Sequence, residues 1–352
     1  MKTIPVLLLG AGGVGRALIQ QIIDGRETVA ARAGSRLAVR LVADSQRWVR
    51  ADDELSDADL KQILQAKQKR ETVGEPRPDP ADMVAAYAEQ FPGPAILVDV
   101  TAANGMEPAL NAALDRGYGV VLANKKPLAG PWATAERFFN NPLVRHESTV
   151  GGGQPVIATL RYLLDTKDEI RQIEGQMSGT LGFICGRLDD GASFSEALAE
   201  ARLRGYTEPD PREDLSGQDV MRKALILGRM AGWSMEASDI AVEALYPSAL
   251  AHLSVMEFMQ ASVALNPAMA DRVAAAAASG EVLRYVASVA NGKGTVGLEP
   301  VPMGSALASL KYVSFRTGRY DDEPLMIGGK GAGVDMTAAG VIGDLIALAR
   351  ET

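Results

Sequence analysis

The chain has 352 residues, 47% of them hydrophobic and 23% charged, with a formal net charge of −8. That length holds two domains, each able to bury its own core, and an acidic balance without a basic stripe argues against nucleic-acid binding. A single cysteine, Cys185, excludes an internal disulfide framework or Cys-cluster metal site, and having only two histidines, His146 and His252, argues against a Ser-His-Asp triad or His-ligated zinc.

Residues 4–9 form a short apolar run without a signal-peptide layout. No run of about 18 apolar residues follows that would span a membrane, so a cytoplasmic protein is expected. Next come Gly10, Ala11, Gly12, Gly13, Val14 and Gly15, then a helical pattern over 16–23. This G-x-G-x-x-G between strand and helix suits a dinucleotide. Glycines permit the tight turn and let the backbone approach a pyrophosphate seated at the helix N-terminus. A bare structural turn is the alternative. Residues 37–43 read as the second strand, followed by Asp44, an acid placed to bond a ribose 2′-hydroxyl and favour NAD. Arg40 or Arg47 would instead hold a 2′-phosphate, so NAD and NADP both stay open. The spacing from the glycines exceeds the usual ~20 residues, a lengthening attributed to 24–35.

Residues 51–92 read as two surface helices around a Pro-rich break at 74–80. An apolar strand over 95–100 ends in Asp99, Val100 and Thr101, a polar edge for a nicotinamide or ribose. A helix over 105–116 leads to a buried strand over 119–122, then to Asn124, Lys125 and Lys126. Lysines at the carboxyl edge of an open sheet stand where such sheets bind ligands; a solvated loop is the bland reading. Further on, Glu147 precedes Gly151, Gly152 and Gly153. Such a turn can aim carbonyls at a cation, or be only a flexible linker at a domain boundary.

A helix over 156–164 and a strand over 169–177 follow. Ser178, Gly179 and Thr180 start a helix with a hydroxyl cap, and Ser193 with Glu196 forms a capping box for a helix over 193–204. The stretch at 205–223 is the most unusual in the chain. Glu208, Asp210, Glu213 and Asp214, stiffened by Pro209 and Pro211, suit an ammonium pocket. Asp219 and Lys223 then share one helical face, an arrangement that elsewhere is only a solvated ion pair. Helices are expected over 236–279, strands over 282–289, 296–301 and 325–327, and mixed signals over 305–316. The last helix, 335–348, is so apolar that it must be buried, with the first domain's sheet as its expected place.

With these landmarks in order, the sequence resembles the homoserine dehydrogenases. The matching motifs are GAGGVG at 10–15, ANKKPLA at 123–129, HESTVGGGQPV at 146–156, SGT at 178–180, GYTEPDPREDLSGQDVMRK at 205–223 and GGKGAGVDMTAAGVIGDL at 328–345. The resemblance implies an α/β fold with a Rossmann-type doubly wound parallel sheet over 1–150, completed by a helix over 334–352. An α+β catalytic and dimerisation domain occupies 151–333. It implies reversible NAD(P)-dependent interconversion of L-homoserine and L-aspartate 4-semialdehyde, on the route to threonine, methionine and isoleucine, in a homodimer or dimer of dimers.

By the same resemblance, Lys223 matches the lysine that passes the proton and Asp219 the residue that orients the reacting oxygen. Lys125 matches the second, cofactor-contacting lysine, with Lys126 as the alternative. Glu208 and Asp214 match ligands of the substrate ammonium, beside Gly179 and Thr180. Gly10, Gly12, Gly13, Val14, Gly15, Asp44, Thr101 and Gly331 correspond to cofactor contacts. Glu147, Val150, Gly152 and Gln154 match positions that hold a monovalent cation, Na+ or K+, mostly through backbone carbonyls. The sequence departs from the pattern in its glycine-rich loop at 151–154 and in Lys330, where proline is common. No aspartate-kinase or ACT domain is expected, nor any nucleic-acid or membrane partner, and the active site is expected between the two domains. Two other readings remain: a Rossmann dehydrogenase for another amino acid or semialdehyde, and a dinucleotide-binding sensor without turnover. The acid–lysine set at 208–223 speaks against the sensor.

Overall fold

The structure, a computed structural model, describes residues 2–309 and 311–351. Met1 and Thr352, at the ends of the expected ranges, and Leu310, within 305–316, lie outside it. The chain divides into two compact units, Met1–Ile157 with Gly331–Thr352, and Ala158–Lys330.

The first unit is built on seven strands: β1 (Lys2–Leu9), β2 (Ser35–Ala43), β3 (Arg47–Arg50), β4 (Glu75–Pro76), β5 (Ile96–Asp99), β6 (Gly119–Leu122) and β7 (Val144–Arg145). They form one sheet in the order β4-β3-β2-β1-β5-β6-β7. Strands β2, β1, β5, β6 and β7 run parallel, and β3 and β4 join antiparallel. A parallel strand covered on both faces needs no alternation, which is why β5 and β6 are buried throughout. The chain passes from β1 to β2 on one side while β5 lies on the other. The carboxyl ends of β1 and β5 therefore make the crevice where open sheets take ligands. Neither β3 nor β4 is expected from the sequence; four and two residues are too few for a period to show.

The helix after the glycines, Gly13–Ala33, runs 21 residues rather than ending near 23. Residues 24–33 contain good helix formers, Ala30 is buried, and the chain turns only at Gly34, left-handed at φ 68°. The last helix, Val334–Glu351, packs along it, and Ala338, Val341, Leu345 and Leu348 join Leu18, Ile19 and Ile22 in one core. Each buried leucine or valine stabilises this unit by roughly 1.5–3 kcal/mol.

In the second unit, β8 (Ile170–Gly175), β9 (Ile240–Val242), β10 (Glu281–Ala290), β11 (Lys293–Pro302), β12 (Tyr312–Thr317) and β13 (Leu325–Gly328) form a sheet ordered β13-β12-β8-β10-β11-β9. It is antiparallel except where β11 meets β9. Asn291 and Gly292, at φ 50° and 75°, close the β10–β11 hairpin as a two-residue turn. Strand β9 interrupts the expected helical region, and three residues carry no readable alternation. The mixed signals over 305–316 separate into the helix Ala306–Ser309 and β12. The helix Gln218–Met230 buries Leu225, Ile226 and Leu227 and packs against β10. The result is an α/β fold with a Rossmann-type sheet and a second, mixed sheet. Among the described residues no helix is long and apolar enough to cross a membrane.

Candidate active site

Gly10 follows β1 at φ 111°, a conformation that favours glycine, and a Cβ there would lie 3.0 Å from the carbonyl carbon of Val100. A Cβ on Gly15 would strike the Gly10 carbonyl oxygen. The turn itself explains these two glycines. Gly12 needs another reason, because a Cβ on it would meet nothing within 4 Å. It starts the helix Gly13–Ala33 with no side-chain cap and no acid in the first turn. Backbone N–H groups and the positive end of the helix dipole are left for an anion. This geometry fits a dinucleotide pyrophosphate better than a purely structural turn. Gly13 packs instead on Val334, whose methyl carbon would sit 3.4 Å from an added Cβ, and Val14 is half-buried.

Thr101 lies just past β5, its N–H donated to Asp99 Oδ1 at 2.9 Å. The other Asp99 oxygen accepts Asn124 Nδ2 at 3.0 Å, and Asn124 Oδ1 accepts the Lys126 N–H at 3.1 Å. Lys125 stands at the start of the short helix Lys126–Ala129, and both lysines are half-buried. Asp99 and Asn124 are 0% and 3% exposed, so a buried network lies beneath the half-buried Thr101 of the polar edge read from the sequence. Its signal was an aspartate closing an otherwise apolar strand.

Asp44 is already engaged. One oxygen accepts the N–H groups of Gln46 and Arg47, both at 2.6 Å, and the other pairs with Lys67. Burial pushes this carboxyl up, but the Lys67 ammonium and the two N–H donors outweigh it and hold it below its ordinary value. Lys67, a cation from the helix Asp57–Gln68, thus stands beside Asp44 unforeseen. Arg47 reaches the Gly74 carbonyl, and Arg40 lies 3.4 Å from both the Tyr87 hydroxyl and Asp53. Gly331 packs on the loop at 151–154, where its carbonyl accepts the Gly153 N–H at 3.3 Å. Within its segment, it is Val334 that meets the Gly-rich turn.

In the second unit the Ser178 hydroxyl caps the helix Gly179–Asp189, accepting the Leu181 N–H at 3.2 Å. The buried Thr180 hydroxyl faces two acceptors, the Tyr206 carbonyl at 2.6 Å and Asp214 Oδ1 at 2.9 Å. The other Asp214 oxygen accepts the Glu208 N–H at 2.8 Å. One carboxylate therefore fixes the 206–208 loop to the helix, with the Glu208 side chain exposed. The expected cluster of four carboxylates does not form. Asp210 pairs with Arg212 at 2.7 Å, which holds its carboxyl low, and caps the helix Pro211–Leu215, while Glu213 is exposed.

Asp219 and Lys223 pair at 2.7 Å, and Lys223 Nζ also donates to the Met177 carbonyl at 2.6 Å. The second bond decides against a merely solvated pair, since it ties the helix Gln218–Met230 to the end of β8. Lys223 is only 17% exposed. With two of its three N–H donors used, one is left for a substrate oxygen. Gly217 starts this helix at φ 70°, and a Cβ there would collide with the Tyr285 hydroxyl. Lys223 and Asp219 on one side, and Asp214 and Glu208 on the other, are thus tied to residues 177–180.

Gly151 and Gly152 follow Val150 at φ 79° and 63°. Glu147, buried, accepts the Ile157 N–H at 2.8 Å through its carboxylate and donates its own N–H to Asp344 at 2.8 Å. One of its carboxylate oxygens serves a helix start, so a cation in this loop would rest mostly on peptide carbonyls such as those of Val150 and Gly152. Neutral hard oxygens suit Na+ or K+ rather than a transition metal. Among the described residues, no group of three or more His, Cys, Asp or Glu is placed to hold a metal.

Comparison with known proteins matches residues 10–142 to the family model described as "Homoserine dehydrogenase, NAD binding domain", and residues 155–346 to "Homoserine dehydrogenase". The chain is 37% identical over 368 residues to a homoserine dehydrogenase of Paracoccidioides brasiliensis, covering 98% of this chain and 97% of that one. It is 36% identical over 362 residues to a bifunctional aspartokinase/homoserine dehydrogenase of Haemophilus influenzae, covering 98% of this chain but 43% of that protein. It thus spans less than half the length of that bifunctional relative. A Candida auris protein of unknown function has a crystal structure similar to this one, with a TM-score of 0.88, 31% identity and 99% of each chain covered.

Proposed function

The chain belongs to the homoserine dehydrogenase family, and on that premise we propose that it interconverts L-homoserine and L-aspartate 4-semialdehyde with NAD(P). The observation that carries the reading is the pinning of Lys223 between Asp219 and the Met177 carbonyl, on the same 177–180 segment that holds Asp214 and Glu208. Glu208 takes the substrate ammonium, oriented by the bond from its N–H to Asp214. Lys223 handles the proton of the reacting oxygen: it donates its remaining N–H to the aldehyde oxygen in reduction and accepts the hydroxyl proton in oxidation. Asp219 holds that ammonium in place. The bound dinucleotide supplies only the hydride exchange. Gly10, Gly12 and Gly15 would hold its pyrophosphate and Thr101 its nicotinamide half, with Lys125 as the second lysine.

Lys67 beside Asp44 supports use of NADP as well as NAD, because an ammonium there can meet a 2′-phosphate while the carboxylate can meet a 2′-hydroxyl. A monovalent cation on the Val150 and Gly152 carbonyls belongs to the same proposal. So does a homodimer contact on the face of the second sheet. A cavity of about 260 Å³, lined by Gln172, Glu174, Tyr312 and Arg316, opens on that face. A panel of amino acids and semialdehydes, followed by NAD(P)H absorbance, tests the reading; turnover of another substrate in preference to homoserine would replace it.

A further inference from the structure

Asp99 ends β5 with its side chain 0% exposed, in a strand buried along its whole length. A carboxylate in such a place is costly unless its oxygens are bonded, and each oxygen here holds a different loop. Oδ1 accepts the Thr101 N–H at 2.9 Å, fixing the turn after β5. Oδ2 accepts Asn124 Nδ2 at 3.0 Å. Asn124 passes the constraint on, because its Oδ1 accepts the Lys126 N–H at 3.1 Å and its Nδ2 also lies 3.0 Å from the Ala103 carbonyl. The backbone repeats the link, with Ala123 and Asn124 N–H both donated to the Asp99 carbonyl at 2.9 and 3.3 Å. Lys125 is the residue between Asn124 and the helix so anchored. A direct contact also joins the two loops, with Asn124 Nδ2 lying 3.3 Å from Thr101 Oγ1.

We infer that Asp99 is a positioning residue: through Asn124 it sets Lys125, and through its other oxygen it sets Thr101, so that one buried carboxylate aligns both sides of the nicotinamide end of the crevice. The bonding logic makes the inference specific. An amide at position 99 still accepts from Thr101, but its NH2 then faces the NH2 of Asn124. If Asn124 flips, its NH2 faces the Lys126 N–H instead. Either way a link is lost, and the flip also turns the amide oxygen onto the Ala103 carbonyl. Exchanging the two residues keeps three links and gives up the one from position 124 to the Ala103 carbonyl. Asn at 99 accepts from Thr101 and donates to Asp at 124, which accepts from Lys126.

The test compares wild type, Asp99→Asn, Asn124→Asp and the exchanged double variant. It uses kcat, KM for homoserine, and Kd for NADPH measured by fluorescence without homoserine. The kcat arm rests on the homoserine dehydrogenase reading; the Kd arm does not. Each single variant is expected to lower kcat about 10²-fold, the scale of a displaced catalytic group. NADPH Kd should rise about tenfold and KM for homoserine change less than about threefold. The exchanged variant should recover to within about tenfold of wild-type kcat. A structural role alone would reduce the amount of folded protein without this split or the recovery. Single variants with kcat and Kd within about twofold of wild type would overturn the inference, as would an exchanged variant no better than the worse single one. If a single variant does not fold, the exchanged variant still decides by its activity. Wild type that binds NADPH but does not oxidise homoserine would defeat the functional reading, and the Kd values would still judge Asp99.

Discussion

Replacing Lys223 with alanine separates catalysis from stability in a way that can be worked from the structure. The side chain makes two bonds, to Asp219 at 2.7 Å and to the Met177 carbonyl at 2.6 Å. Asp219 is 46% exposed, so an i,i+4 pair of this kind is worth about 0.3–0.5 kcal/mol. Leaving the Met177 carbonyl without its donor costs a further 1–3 kcal/mol or so. For a chain this long, such a loss lowers Tm by several degrees. Loss of a proton-transfer group costs about 10²–10⁴ in kcat, or about 2.7–5.4 kcal/mol in the barrier. A folded Lys223→Ala enzyme, assayed well below its Tm at saturating homoserine, should therefore show the full deficit of about 10²–10⁴-fold in kcat with a Tm lowered by only several degrees. KM for homoserine should change little, because Glu208 and Asp214 are untouched. A variant that keeps near wild-type kcat would remove Lys223 from proton transfer and return the Asp219 pair to a structural role.

Three further outcomes follow from the same geometry. Glu208→Gln keeps the backbone N–H bond to Asp214 but loses the charge, so KM for homoserine should rise about tenfold or more with kcat less affected; an unchanged KM would count against the ammonium assignment. Gly12→Ala meets open space and should leave Tm nearly unchanged while weakening cofactor binding, whereas Gly15→Ala collides with the Gly10 carbonyl and should lower Tm as well; equal effects on both measurements would contradict the assignment of Gly12 to ligand approach. Asp44 has a folded pKa below its unfolded value, so its contribution to stability is present above about pH 4 and disappears as pH falls through the folded value. Lys67→Met removes the ammonium that, together with the Gln46 and Arg47 N–H groups, outweighs burial, so urea midpoints should be lower near neutral pH and flatter towards acid; a curve parallel to wild type would rule out the pair.

The parts of the fold legible in the sequence were those governed by local rules. Gly10 and Gly15 announced a turn that no other residue fits, Ser178 and Ser193 announced their helices by capping, and the apolar helix Val334–Glu351 announced its own burial. Strands β3, β4 and β9 were hidden because a pairing of two to four residues is decided by the neighbour it finds. The acidic loop was misread for a related reason. Four carboxylates in seven residues look like one pocket, but Asp210 turns to Arg212 and Asp214 turns to Thr180, 34 residues away. Asp99, Asn124 and the Lys67–Asp44 pair depend in the same way on contacts 23–25 residues apart, which no spacing rule predicts.

The central claim is that this chain oxidises homoserine, and the direct test is the initial rate of NAD(P)H formation with homoserine, run separately with NAD and with NADP. The account predicts homoserine-dependent NAD(P)H formation, reversed by adding aspartate semialdehyde and NAD(P)H. Cofactor binding with no homoserine-dependent formation of NAD(P)H in either reaction would contradict it.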